Sequence, residues 1–452
     1  MVRRTRSVSR TTWHELDHTA PATCETHDAR PHARSTTATN LTTATTPSAQ
    51  NRRSRSGATA SSDTAYLALS EMECLVSDAR PWADGGPDMI QLLTPEGELV
   101  ESAPQQYRDI AASLTDDELR GFYRDLVLTR RFDAEATALQ RQGELGLWAS
   151  LLGQEAAQVG SGRALRPQDY AFPTYREHGV AWCRGVDPVN LMGMFRGVNH
   201  GGWDPNDKNF HLYTIIIGAQ TLHATGYAMG VQRDGAVGTG DPDRDTAVIA
   251  YFGDGATSQG DVSEALVFAG VNNSPVVFFC QNNQFAISEP NEKQTRAPLY
   301  HRARGFGFPG LRVDGNDILA VYAVTKVALD AARSGEGPSF IEAFTYRMGA
   351  HTTSDDPTKY RLSAEVERWK LRDPIERLKA WLAHEGKADR AFFDAIAKEA
   401  DDLGADVRAR CIALPDPAGT DMFEYVYGED HPVMVAEREE FTAYQSSFEG
   451  AH

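Results

Sequence analysis

The stretch Thr246–Ser288, TAVIAYFGDGATSQGDVSEALVFAGVNNSPVVFFCQNNQFAIS, decides the fold. Its first run, Thr246–Phe252, is continuously apolar rather than alternating. That is the pattern of a strand buried on both faces of a parallel sheet. Gly253-Asp254-Gly255 breaks the run sharply. From Ser258 to Gly270, Val262, Ala265, Leu266 and Ala269 recur on one helical face. A second apolar run, Val276–Cys280, ends at Gln281-Asn282-Asn283. The spacing predicts a strand–helix–strand unit with polar groups at both strand ends, where open α/β sheets place their ligands.

The flanking sequence extends the same alternation. Thr115 to Glu118 form a capping box that opens a helix running to about Gln142. Helices are expected over 154–164, from an Asp187 cap with Pro188 in the first turn, and over 219–232. Downstream, Gly310–Val313, Ile318–Arg333 and Ser339–Thr345 read as another strand–helix–strand unit. The expected fold is α/β, a mostly parallel central sheet with helices on both faces, followed by a helical C-terminal region.

Composition sets the remaining bounds. The chain has 452 residues, 41% hydrophobic and 24% charged, as in an ordinary soluble protein. Residues 1–60 hold nine arginines against four acids, about +5, so a total of −18 leaves about −23 for the rest. A nucleic-acid surface is therefore not expected, nor, without an apolar run of about 18 residues, a membrane span. Five scattered cysteines without a C-x-x-C pair point to a reducing compartment rather than a disulfide framework.

Residues 1–88, rich in Arg, Ser, Thr and Ala, read as a disordered extension or a misassigned start, with Met89 a candidate first residue. A transit peptide is the alternative, so localisation is expected to be cytoplasmic, or the mitochondrial matrix under that alternative. Residues 89–113 read as a linker, 114–362 as the α/β domain, and 363–452 as helices suited to subunit contacts.

The central unit has the chemistry of a phosphate and cation site. Gly253 and Gly255 allow close backbone approach, and the next helix N-terminus offers unpaired N–H groups. Asp254 would repel a phosphate unless a cation lay between them. One carboxylate with amide and carbonyl oxygens is a hard-oxygen set that suits magnesium. A dinucleotide fingerprint fails because Ser258 stands in place of its third glycine, and a phosphate loop of the G-K-[ST] type is absent. G-D-G followed after 26 residues by N-N, each closing a strand, is a third reading, and it resembles the pattern of enzymes that bind thiamine diphosphate through a divalent ion.

With the blocks TYREHG, GAQTLHATGYAMG, GDGATSQGDVSEALVFA, QNNQFAIS, RVDGND and TYRMGAHTTSDDPTKYR, the chain resembles the α subunit of the thiamine-diphosphate-dependent dehydrogenase component of 2-oxo acid dehydrogenase complexes. Both the pyruvate and the branched-chain types are similar to it over roughly Leu114–Tyr427. The resemblance implies oxidative decarboxylation of a 2-oxo acid, with acyl transfer to a lipoyl-bearing acyltransferase. It also implies a β subunit, in an α2β2 assembly, that supplies the glutamate activating the cofactor. An acetoin dehydrogenase α subunit and a non-catalytic scaffold are the alternative readings.

Carried onto this sequence, the resemblance makes Asp254, Asn283 and the Phe285 carbonyl magnesium ligands. Gly253, Gly255 and Ala256 line the diphosphate; Tyr175 and Arg176 contact its oxygens, and Gln281 contacts them more weakly. Ile217 props the bent cofactor, and Ile287 offers backbone to its pyrimidine. His351 is the implied catalytic residue, a proton donor that also helps hold the diphosphate, on a loop ordered by Tyr346, Arg347 and Asp355.

Overall fold

The computed structural model describes residues 88–448. The expectations for residues 1–87, including the disordered extension, the transit peptide, Cys24 and Cys74, lie outside the described residues. Six strands form one parallel sheet: β1 (Met89–Ile90), β2 (Tyr170–Phe172), β3 (Val248–Gly253), β4 (Val276–Asn282), and, after a short hairpin of β5 (Phe285–Ala286) and β6 (Glu289–Pro290), β7 (Gly310–Asp314) and β8 (Ser339–Phe344). Their order is β1-β7-β8-β4-β3-β2.

Continuous apolar strands follow from burial on both faces. In β3, Ile249 and Tyr251 enter one core with the helices Asp116–Arg141, Glu155–Arg163 and Ile318–Ser334. Val248, Ala250 and Phe252 enter the opposite core with the helices Ala219–Arg233 and Gly260–Asn272. The crossover from β3 to β4 thus covers one face and that from β7 to β8 the other. The sheet's direction of growth reverses between β4 and β8, a topological switch point, where such sheets open a ligand crevice.

Helix ends follow their local chemistry. Thr115 accepts from Glu118 N while Glu118 accepts from Thr115 N, the reciprocal cap expected. Asp187 caps Pro188–Arg196, as expected from its position before proline. The central helix departs from expectation. A 3₁₀ turn, Asp254–Ser258, leaves β3 first, and the α-helix begins only at Gly260. A Cβ on Gly255 would lie 2.7 Å from Ala286 Cβ, so β5 can pack directly on this turn only because residue 255 has no side chain.

The expected linker over 89–113 is corrected. Met89 and Ile90 add a parallel strand to β7, and Gln105–Ala112 forms a helix against Ile318–Ser334. Two strand residues are too few to show a periodicity, which is why the sequence reads as linker there. Asp317 anchors this segment. Its Oδ2 accepts from Leu92 N and Leu93 N at 2.6 Å each, while Oδ1 caps Leu319 N and Ala320 N at 3.1 Å.

The C-terminal helices divide. Ile375, Leu378, Trp381, Ile396 and Val407 join the main core, whereas Pro432–Ser446 contributes no buried residue. Among the described residues no helix is long and apolar enough to cross a membrane.

Asp317→Ala would strand four backbone N–H groups at once. It is expected to lower unfolding stability by roughly 2–3 kcal/mol in urea denaturation, and amide exchange at Leu92 and Leu93 should accelerate most.

Candidate active site

The site lies at the ends of β3, β4 and β8. Gly253 is in register with Gln281, so Asp254 leaves the sheet beside the Asn282-Asn283 turn. The chain after β8 continues that ladder: Thr345 N donates to Asn282 O at 2.9 Å and Arg347 N to Asn283 O at 3.2 Å. The His351 loop is thereby fixed to the strand end that carries Asn283.

Asp254 is 1% exposed. Its Oδ2 accepts from Gln294 Nε2 at 2.8 Å, and its Oδ1 is buried with no partner. Burial pushes its pKa up to about 6, even though Gln294 and, more distantly, Arg347 oppose the shift. Asn283 donates through Nδ2 to Gln154 Oε1 at 3.1 Å, and its Oδ1 accepts from Phe285 N at 3.3 Å, leaving one lone pair free. Among the described residues no group of three or more His, Cys, Asp or Glu side chains could hold a metal. A cation here would therefore rely on one carboxylate with amide, carbonyl and ligand oxygens, which suits a hard ion. The orphaned Asp254 oxygen fits that role.

Phe285 fits it least. Its carbonyl already accepts from Arg347 Nη1 at 3.1 Å, so a divalent ion there would sit beside a guanidinium. Arg347 also donates to Ile287 O at 2.6 Å and to Tyr360 Oη at 2.9 Å. Ile287 adopts φ 55° with its side chain exposed, and the guanidinium clamps this unusual backbone.

Arg176, 6% exposed, donates from Nη1 to Ser150 O at 2.5 Å and from Nη2 to His351 O at 2.7 Å. The same Nη2 lies 3.3 Å from His351 Nδ1. A guanidinium only donates, so Nδ1 is the acceptor and the imidazole proton sits on Nε2. Burial first, then Arg176 and Arg347, push the His351 pKa down to about 4. At neutral pH this environment favours the neutral imidazole with its proton on Nε2. The Tyr175 ring lies edge-on to it at 6.2 Å. Asp355 accepts from His351 N at 2.8 Å and holds the loop, while Tyr346 stacks on Trp369 beneath it.

Gln281 is corrected. It faces away from the crevice and is buried, donating to Glu177 Oε1 at 2.6 Å and accepting from Gln158 Nε2 at 3.1 Å. Strand alternation turns it into the core while Asn282 points to the opposite face. Gly253 ends β3 and Ala256 lies within the 3₁₀ turn, on either side of Asp254. Ile217, 39% exposed, precedes Gly218, whose position against Gln259 and Val262 puts it beside the start of the Gly260–Asn272 helix.

Three contributors escaped the sequence reading: Gln154, which holds Asn283; Gln294, which holds Asp254; and Ser150, whose carbonyl holds Arg176. Only Gln154 had a local signal. It follows Gly153, at φ 95°, where a Cβ would come within 2.3 Å of Tyr346 O.

Residues 123–408 match the family model described as "Dehydrogenase E1 component". The chain belongs to the dehydrogenase E1 component family. Over 355 residues it is 44% identical to the "3-methyl-2-oxobutanoate dehydrogenase subunit alpha" of Mycobacterium tuberculosis, covering 78% of this chain and 93% of that protein. Over 361 residues it is 37% identical to the "Pyruvate dehydrogenase E1 component subunit alpha" of Staphylococcus aureus, covering 78% of this chain and 92% of that one. The protein of that name from Bacillus cereus is 36% identical over 355 residues, with 78% and 92% covered. Membership makes this E1 chain an oxidoreductase of thiamine-diphosphate chemistry.

Arg176→Met removes one of the two cations that hold His351 neutral. The His351 pKa should climb from about 4 toward 6.5, read from its imidazole resonances in a pH titration by NMR. Burial keeps the rise incomplete.

Proposed function

We propose that this chain is the α subunit that binds thiamine diphosphate through a magnesium ion and acts on a branched-chain 2-oxo acid. The observation that carries the cation site is the buried Asp254 Oδ1 without a partner. An ionised carboxylate at full burial is costly, and a divalent ion offsets that cost directly. When bound, the cofactor supplies the nucleophilic carbon and the electron sink for decarboxylation.

This chain's own residues do the rest of its share. Asp254 Oδ1 and Asn283 Oδ1 would hold the cation. Arg176 and Tyr175 would face the phosphates through the N–H and O–H groups they do not use internally. His351 would present Nε2–H to the reacting end, and an approaching anion would raise its proton affinity. The exposed Ile217 would support the cofactor's apolar middle.

The branched-chain reading takes support from the identity gradient, 44% against 37% and 36%. Pyruvate is the second reading. In either case the activating glutamate would come from a β subunit, and the acyl group would pass to a lipoyl-bearing acyltransferase. The Pro432–Ser446 helix, none of whose residues is buried, suits contact with such a subunit. A reducing compartment, the cytoplasm, suits the free thiols of Cys183, Cys280 and Cys411.

Two outcomes are expected. The α–β assembly should show higher kcat/KM on 3-methyl-2-oxobutanoate than on pyruvate, and the isolated chain should be inactive on both. Asp254→Asn should lose magnesium-dependent cofactor binding in calorimetry while the ligand-free chain becomes more stable at pH 8. The gain is expected at roughly 1–3 kcal/mol, because a carboxylate whose folded pKa is raised costs stability above that pKa.

A further inference from the structure

Gln294 is none of the residues that the resemblance assigns to the site, yet its amide donates to Asp254 and is the stronger of two side-chain amides, with Asn291, that favour the ionised carboxylate. It closes a single helical turn, Asn291–Gln294, that follows the β5–β6 hairpin. That turn is pinned to the end of β4: Asn291 N donates to Gln284 O at 2.9 Å, and Asn291 Nδ2 donates to Asn282 Oδ1 at 2.9 Å. From this anchor Gln294 Nε2 reaches Asp254 Oδ2 at 2.8 Å and Glu289 O at 3.3 Å. Two acceptor oxygens of the pair, Asp254 Oδ1 and Gln294 Oε1, are buried and have no partner.

We propose that Gln294 is a positioning residue of the cation site: its amide N–H fixes one oxygen of Asp254 so that the other is presented to the metal. This inference rests on the magnesium reading above.

The choice of a neutral amide matters. A carboxylate free to rotate offers its oxygens in many orientations, and fixing it costs entropy when the ion arrives. An amide donor removes that cost in advance and leaves the full negative charge for the ion. A lysine or arginine in the same place would orient the carboxylate equally well but would neutralise it. The second orphaned oxygen, Gln294 Oε1, has a use in the same arrangement. Magnesium keeps several of its waters when bound by few protein ligands, and each such water needs an acceptor. Oε1 would be available to accept from one of them.

The position also links two parts of the site. The hairpin that leads into the Asn291–Gln294 turn carries the Phe285 and Ile287 carbonyls, and it packs on the 3₁₀ turn only because Gly255 has no Cβ. The Gln294–Asp254 bond is the polar tie across that contact.

The test measures Mn2+, as a magnesium substitute, by electron paramagnetic resonance of the free ion. It is run on the α–β assembly with thiamine diphosphate present, beside thermal unfolding of each ligand-free variant. Gln294→Met removes donor and acceptor and is expected to weaken Mn2+ binding by about 10–100-fold, the usual cost of losing a partner of a metal ligand. Gln294→Lys is expected to weaken it further while raising the melting temperature, because it pairs the buried carboxylate. A merely structural glutamine would not give loss of affinity together with gain of stability. If both variants bind within about twofold of the wild type, Gln294 does not position the ligand and the inference is wrong. If the wild type itself binds no Mn2+, or Asp254→Ala binds as tightly as wild type, the cation reading fails and takes this one with it.

Discussion

A carboxylate buried at the end of a parallel strand with one oxygen unpartnered is the constraint on which the rest of the site depends. Water solvates an ionised carboxylate well and a protein interior does not, so Asp254 is either protonated or matched by a cation. Among the described residues no cationic side chain pairs with it directly; side-chain amides, Gln294 foremost, face it instead. The surrounding parts make sense around that choice. Gly255 permits the 3₁₀ turn that buries the carboxylate, β5 seals it, and the β4 end brings the Asn283 amide to the same edge.

A second group of charges surrounds His351. Arg176 and Arg347 both lie close enough to His351 to depress its proton affinity, and Arg347 lies near enough to Asp254 to favour its ionised form slightly. Neither arginine makes a salt bridge among the described residues; both donate to backbone carbonyls instead, Arg176 to Ser150 and His351, Arg347 to Phe285 and Ile287. Guanidinium groups held by carbonyls keep their full charge. His351 thus faces two guanidinium charges and the Asp355 carboxylate, while Asp254 keeps one buried oxygen without a hydrogen-bond partner.

The strand–helix–strand unit and its polar ends were legible because burial on both faces leaves an unmistakable run of apolar residues. Asp254 and Asn283 lie just past the ends of β3 and β4, and Arg176 lies against His351. What was not legible has specific causes. β1 is two residues long and carries no period. Gln281 sits in the midst of a site motif, but one step along a strand reverses the facing of a side chain, and only the register with β3 shows that it looks into the core. Gln154 and Gln294 act through single hydrogen bonds made 129 and 40 residues away in sequence, a relation that no local pattern encodes. The His351 tautomer follows from a contact 175 residues distant with Arg176.

These charges limit what can bind. A lone divalent ion would satisfy Asp254 but would face Arg347 through the Phe285 carbonyl it was expected to use. A lone polyanion would be drawn to Arg176 and repelled by Asp254. A ligand that brings both signs together, an anionic group already chelating its cation, satisfies each side at once and leaves no like charges in contact. With magnesium, the ligand oxygens would occupy the coordination positions that this chain does not fill, because Asp254 and Asn283 alone leave an octahedral ion largely open. On the proposed magnesium reading, the incompleteness of the protein's ligand set would favour a metal–diphosphate pair over either component alone, and cation affinity and cofactor affinity would be two readings of one equilibrium.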